Sequence, residues 1–270
     1  GRYLLELLSA QRVCVLAVSR QEPDQSRPGE IWFQQDLSVN TVSAAASVVI
    51  SLGPLRFAEQ YLLKNAGVGR LIALSSASTV FKVDSPDRRE RELIAGLLAT
   101  EARLERLCQD RSINVTILKP TMIYGGEQDG NVSYLADFMR RFGVVPYCGR
   151  GLRQPVHAGD LAALVCRCLA QGQDSNGSWL VGGGETIEYP TMLKRIADSA
   201  GLSPRLVRLP AWSMMALLTL AHGLGRLEGV SLVMVRRQRQ DLAVDDRPAR
   251  ASLGWNPRPF RPDRMGQKEP

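Results

Sequence analysis

The chain has 270 residues, 44% of them hydrophobic and 23% charged, values that exclude a largely disordered protein and suit one large domain or a domain with an appended lobe. It contains no uninterrupted apolar run of about 18 residues, which argues against a transmembrane helix, and Gly1-Arg2 leads straight into an amphipathic segment rather than a signal peptide. The net charge is +7, of which +4 lies in the last 35 residues; this is a basic tail, not a face for nucleic acid. Five scattered cysteines and two histidines fit a reducing cytoplasm and offer no spacing for a structural metal.

Leu4, Leu5, Leu7 and Leu8 predict a helix over 2–11. Val13–Val18 reads as a strand ending in Ser19-Arg20. Gln21–Glu30 reads as a loop with Pro23 and Pro28, and Ile31–Phe33 as a weak strand closed by Gln34-Gln35-Asp36. Val48–Leu52 is an apolar strand stopped by Gly53-Pro54, followed by a helix over 56–65 and a strand over 70–75. A long helical pattern covers 88–108. Leu93, Leu97, Leu98, Leu104 and Leu107 are assigned to its apolar side, and Glu90, Glu92 and Glu101 to a solvated face. Val115–Leu118 begins the next strand, with Tyr124 placed at its end. Past Pro120 the pattern is irregular until a helix over 161–170, a strand over 178–181 and a turn at Gly182-Gly183-Gly184.

From Tyr189 the chain is expected to be mainly helical up to an exposed tail at 257–270. The apolar stretch Pro210–Leu224 reads as a core helix. Its alternatives are the lining of a hydrophobic pocket, or peripheral contact with a membrane aided by Arg236, Arg237 and Arg239. Short apolar runs alternating with helices predict an α/β fold, a Rossmann-like doubly wound parallel sheet with a smaller, mainly helical C-terminal lobe.

Four stretches carry a resemblance: Leu74-Ser75-Ser76-Ala77-Ser78, Leu118-Lys119-Pro120-Thr121-Met122-Ile123-Tyr124-Gly125, Arg153 through Ala162 (RQPVHAGDLA), and Leu253-Gly254-Trp255-Asn256-Pro257. Together and in this order they resemble the extended short-chain dehydrogenase/reductase family, in its NAD(P)-dependent nucleotide-sugar epimerase/dehydratase branch. The resemblance spans essentially the whole chain. It implies a dinucleotide-binding domain over 1–125 to which 153–181 returns, a substrate lobe over 126–152 and 182–256, and a tail over 257–270. It also implies a first strand and a glycine fingerprint ahead of the first helix. Gly1 is read as the last glycine of that fingerprint and the first strand as missing, which suggests a truncated chain; a naturally divergent start is the alternative.

On the cofactor side the resemblance implies Gly1, Ser19, Arg20, Asp36, Leu37, Gly53 and Pro120 as binding residues. An arginine rather than a carboxylate at the end of the second family strand suits the 2′-phosphate of NADP, so NADP is expected, with NAD as the alternative. A solvated loop arginine is the alternative for Arg20, and a plain loop carboxylate that for Asp36.

On the catalytic side the family uses a tyrosine and a lysine one helical turn apart, with a serine or threonine orienting the same substrate hydroxyl. Here Leu97 stands at the tyrosine place, Glu101 at the lysine place and Ala77 at the hydroxyl place. Ser76, Ser78, Lys82 and Tyr124 are the substitute candidates. The alternatives for Lys82 and Tyr124 are a surface loop lysine and a packing tyrosine. Asn131, Arg153 and His157 match positions near the nucleotide diphosphate; the alternative for Arg153 is a fork tying loops together, and for His157 a satisfied structural histidine.

The expected function is an oxidoreductase or epimerase-like enzyme acting on a nucleotide-linked sugar or similar small hydroxyl or carbonyl substrate. A catalytically inactive NADP-binding sensor or assembly subunit is the alternative. The resemblance adds a homodimer formed through two helices per subunit, and no metal, nucleic-acid or transmembrane role is expected.

Overall fold

The computed structural model describes residues 1–21, 26–42, 44–126, 129–223 and 232–262. In chain order its elements are α1 (Arg2–Ala10), β1 (Val15–Ser19), β2 (Glu30–Gln34), β3 (Val48–Ser51), α2 (Leu55–Lys64), β4 (Arg70–Leu74), α3 (Ser78–Phe81), α4 (Arg88–Asp110), β5 (Asn114–Pro120), β6 (Ile123–Tyr124), α5 (Val132–Phe142), β7 (Val144–Tyr147), β8 (Leu152–Arg153), β9 (Val156–His157), α6 (Ala158–Gln171), β10 (Gly177–Val181), β11 (Ile187–Glu188), α7 (Tyr189–Ser199), β12 (Arg205–Arg208), α8 (Ala211–Gly223), α9 (Leu232–Arg237) and α10 (Arg247–Leu253). They fall into two units: Gly1–Pro120 with Gly159–Val181 and Asp245–Trp255, and Thr121–Ala158 with Gly182–Val244 and Asn256–Pro270. The division differs from the sequence expectation at Pro120 instead of 125 and at Gly159 instead of 153, and it returns 245–255 to the first unit.

In the first unit, β3, β4, β5 and β10 form a parallel sheet in the order β10-β5-β4-β3. Strands β1 and β2 pair in parallel as a separate sheet. Leu71, Ile72 and Ala73 of β4 and Ile117 and Leu118 of β5 are fully buried, as expected of central strands covered on both faces. Helix α2 buries Leu55, Ala58 and Leu62, and α4 buries Leu104 and Cys108, in one cluster with Leu71 and Ala73.

The buried stripe of α4 matches the predicted apolar side at Leu97, Leu104 and Leu107 but not at Leu93 and Leu98. It runs through Ile94, half-buried Leu97, Glu101, Leu104 and Cys108, while Leu93 is 68% exposed. The spacing of three and four residues keeps these five on one helical face, and Glu101 belongs to that face instead of to a solvated one.

At the opposite end of β4, Arg70 is buried. Its guanidinium donates to Thr116 Oγ1 (2.6 Å), to the side chains of Asn176 and Ser175, and to the Cys168 carbonyl. A buried cation is thus held by neutral oxygens from three segments.

The second unit is built from short pairings: β6 with β9 and β7 with β12 in parallel, and β8 with β11 antiparallel. Tyr124 therefore does not end the strand that begins near Val115. Pro120 closes β5, because it has no N–H for a continuing ladder, and Tyr124 lies on β6 opposite His157. Strand β12 lies within a stretch expected to be mainly helical; its central Leu206 and Val207 are half-buried between exposed Arg205 and Arg208.

Helices α5 and α7 enclose a core of Val132, Ala136, Met139, Met192, Leu193 and Ile196. On α8, Met214 and Leu218 pack with Cys148 and Val235, whereas Trp212 is 75% exposed; Leu224 lies outside the described residues. The segment 257–262 is docked, not an exposed tail. Phe260 is fully buried against Tyr124 (ring centroids 4.8 Å apart), and its N–H donates to Glu185 at 2.7 Å.

Gly182-Gly183-Gly184 is a close-packed turn. The N–H groups of Gly183 and Gly184 donate to the carbonyls of Gln154 and Arg258. A Cβ at Gly182 would collide with the Gln154 amide, and one at Gly184 with the Pro257 carbonyl. All five cysteines are free. No helix among the described residues is long and apolar enough to cross a membrane.

Candidate functional site

Because β3, β4, β5 and β10 run parallel, their carboxyl ends share one edge of the sheet, the edge where ligands bind in open α/β folds. The backbone of β4 stays in step with β5 beyond its last strand residue: Ser75 N donates to the Leu118 carbonyl (2.8 Å) and Ala77 N to that of Pro120 (2.9 Å). Ser75 is thereby held next to Lys119. From the side, α4 delivers Glu101, which is 4% exposed. The Ser75 hydroxyl donates to Glu101 Oε1 in a short bond, and Lys119 Nζ lies 2.7 Å from Glu101 Oε2. One carboxylate thus binds a hydroxyl with one oxygen and an ammonium with the other. Ser75 and Lys119 are only half-buried, so both partners of the hidden carboxylate retain access to solvent.

Sequence reasoning did not select this group. Its signal was the carboxylate at the central position of the 94-97-101-104-108 stripe. A charge there must find a partner or remain uncompensated in the core.

The named catalytic candidates are placed differently. Ser76 Oγ accepts the N–H of Ser78, and the Ser76 carbonyl accepts the Thr79 hydroxyl, so this pair shapes the turn into α3. Lys82 is ion-paired with Glu90 at 3.4 Å, and Glu90 also accepts the Ser85 hydroxyl. Tyr124 is 1% exposed, edge-on to both His157 and Phe260, and its oxygen accepts the Arg261 N–H. Tyr124 and His157 are thus both buried and in edge-on ring contact. Gly125, with φ of +91°, leaves no room for a Cβ, which would stand 2.3 Å from His157 Nε2. Leu97 packs into the apolar cluster of the first unit, and Ala77 is buried.

Of the substrate candidates, Asn131 is exposed and donates to the Ile123 carbonyl, while Asp129 caps the start of α5 by accepting the N–H groups of Asn131, Val132 and Ser133. Arg153 is 6% exposed. Its fork donates to the carbonyls of Leu152 (2.8 Å), Gln240 (2.9 Å) and Arg237 (2.6 Å), and its carbon lies 5.2 Å from the centre of the Tyr189 ring. These contacts have the form of a fork tying loops together. Arg153→Ala is expected to lower unfolding free energy by about 3 kcal/mol, the scale of losing charge-assisted bonds to buried carbonyls. Urea denaturation measures it, and an unchanged stability with weakened substrate binding would support the diphosphate role.

The cofactor candidates lie at the ends of early elements in the first unit. Gly1 precedes α1, whose first turn has no side-chain cap and no acidic residue, so the positive end of the helix dipole suits a phosphate. Arg20 is exposed just after β1, and Ser19 Oγ accepts the Gln21 N–H. Asp36 is held below the usual carboxylate range by the Ser38 hydroxyl and amide, with the charge of Arg20 adding to them; Leu37 follows it, half-buried. Gly53 is exposed after β3, and Pro120 is buried with its carbonyl bound to Ala77.

No family model matches the chain. It is 25% identical over 227 residues to a UDP-glucose 4-epimerase from Vibrio cholerae, covering 83% of this chain and 65% of that protein. The chain therefore spans less than two thirds of the length of the curated relative it matches. Among solved structures, the UDP-glucose 4-epimerase of Thermotoga maritima with UDP-glucose superposes with a TM-score of 0.65 at 16% identity, covering 95% of this chain and 90% of that one. A mutant UDP-glucuronic acid 4-epimerase of Bacillus cereus, in complex with a fluorinated UDP-sugar and NAD, gives 0.68 at 12% identity, covering 98% and 92%. The fold is the Rossmann-like α/β fold of these epimerases. Within that fold this chain has the parallel sheet and the serine-rich turn after β4, and its long helix carries Leu97 and Glu101.

Proposed function

We propose that this chain binds a nicotinamide dinucleotide, NADP in preference to NAD, and interconverts a hydroxyl and a carbonyl on a nucleotide-linked sugar or a similar small substrate. The observation that carries this reading is the gathering of Ser75, Glu101 and Lys119 at the carboxyl edge of the sheet, in a fold whose relatives are UDP-sugar epimerases. The residues present fit a dinucleotide in their chemistry: the uncapped start of α1 at Gly1 for phosphate, Arg20 for a 2′-phosphate, and Ser19, Asp36, Leu37, Gly53 and Pro120 around it. When bound, the nicotinamide would supply the hydride acceptor or donor. The chain's own part is to hold the substrate hydroxyl and move its proton.

A second reading, a catalytically silent dinucleotide-binding sensor or assembly subunit, is favoured by the hydrocarbon at Leu97 and Ala77. Fluorescence titration of NADPH and NADH, followed by hydrogen exchange at nicotinamide C4 in the presence of UDP-sugars, separates the two: both bind, but only the enzyme exchanges. Absence of binding to the 270-residue chain counts against both. Arg20→Ala is expected to weaken NADPH binding about tenfold and NADH binding much less, because a guanidinium pairs selectively with a phosphate monoester. Equal losses for both nucleotides would remove Arg20 from the phosphate site.

A further inference from the structure

We infer that Ser75 and Glu101 form the proton relay of this protein, with Ser75 touching the reacting hydroxyl and Glu101 acting through it while Lys119 positions the carboxylate. The inference rests on the hydride-transfer reading above and supplies the proton path that the missing tyrosine and lysine leave open.

Three features of the geometry support it. Ser75 donates its only hydroxyl proton inward to Glu101 Oε1, so its oxygen lone pairs are left to accept a hydrogen bond from a second hydroxyl. Glu101 is hidden while Ser75 is half-buried, so the serine gives a substrate hydroxyl a path to the carboxylate. Lys119 Nζ at 2.7 Å neutralises the buried negative charge and fixes the carboxylate plane. Neither Lys82, ion-paired with Glu90, nor Tyr124, enclosed between His157 and Phe260, occupies a comparable position.

In the oxidative direction the substrate O–H bond breaks and its proton passes to Ser75 Oγ as the serine's own proton moves to Glu101 Oε1. The electron pair left on the substrate oxygen becomes the second bond of the carbonyl as the carbon–hydrogen bond breaks, its hydride being taken by the oxidised nicotinamide as co-reactant. In the reductive direction Glu101 returns the proton through Ser75 to the developing alkoxide.

The test uses the full chain with NADP⁺ or NAD⁺ and, as probes, UDP-glucose and UDP-glucuronic acid carrying deuterium at sugar C4. Deuterium transfer to the nicotinamide, NADPH affinity and melting temperature are measured together. Ser75→Ala leaves the Glu101–Lys119 pair intact. It is expected to slow transfer about 100-fold or more, the scale of a lost acid–base group, with KM and NADPH affinity unchanged and a modest fall in melting temperature from the donor lost to Glu101. Ser75→Thr, which keeps the hydroxyl, is expected to recover most of the rate. The paired change Glu101→Gln with Lys119→Gln removes both charges at once and is expected to match Ser75→Ala in rate.

A Ser75→Ala protein that transfers deuterium at the parent rate overturns the relay, as does a loss confined to KM or to NADPH affinity. A parent chain that binds the dinucleotide but transfers no deuterium also overturns it, while leaving dinucleotide binding intact. A parent chain that binds neither dinucleotide overturns the hydride-transfer reading itself and the relay with it.

Discussion

Glu101→Gln alone is expected to lower the free energy of unfolding by about 3 kcal/mol, because removing one member of a buried ion pair leaves the other charge uncompensated. The side chains of Glu101 and Lys119 are 6% and 17% exposed, so little solvent is available to screen the orphaned ammonium. The pair itself is worth far less than this loss, since forming it required both charges to leave water. Adding Lys119→Met should therefore recover most of the stability, even though the double variant has fewer polar contacts than either single one. Urea denaturation of the parent, both single variants and the double variant forms a complete cycle. A double variant as unstable as the sum of the singles would show that the two residues do not act as a pair. Rate measurements on the same proteins separate stability from chemistry: Lys119→Met together with Glu101→Gln restores the fold but not the proton relay.

Gly183→Ala should destabilise the second unit by about 3 kcal/mol, at the upper end of what inserting one methyl into packed structure costs. Its Cβ would stand 1.7 Å from the Pro155 carbonyl oxygen. That obstacle is backbone, and it is anchored on both sides. Gly183 N donates to the Gln154 carbonyl, and Val156, which follows Pro155, donates to that of Met122. No rotamer change can relieve the contact, so the turn itself must move. Limited proteolysis and thermal melting report the effect. A variant that melts with the parent would mean that the turn tolerates displacement and that the triple glycine is not required by packing.

The α/β alternation was legible because short runs such as Leu71–Leu74 are apolar at successive positions, which suits a strand covered on both faces. Helix α4 was legible as a helix but only in part in its orientation. Leu93 and Leu98 drew the predicted apolar side toward themselves, yet they are exposed, and the covered stripe includes Glu101. Composition counts leucines without knowing which neighbour covers them, and a glutamate in a covered stripe looks like any surface glutamate until its partner is known. Lys119 is that partner, and it comes from a strand 18 residues away in sequence.

The same limit applies to the other site residues. Tyr124 and Arg153 were singled out for their chemical capability, and the sequence could not reveal that Phe260 and His157 enclose the first and that three carbonyls occupy the second. Strand β12 was lost because four residues carry too little periodicity to stand against the helices around them, and its partner β7 lies some sixty residues earlier. By itself, then, the sequence determined most of the element types and the parallel sheet. Those follow from local periodicity and residue identity. Only the tertiary structure decided which polar groups meet, because the hydroxyl, carboxylate and ammonium of Ser75, Glu101 and Lys119 come from three separate elements and acquire their chemistry from one another.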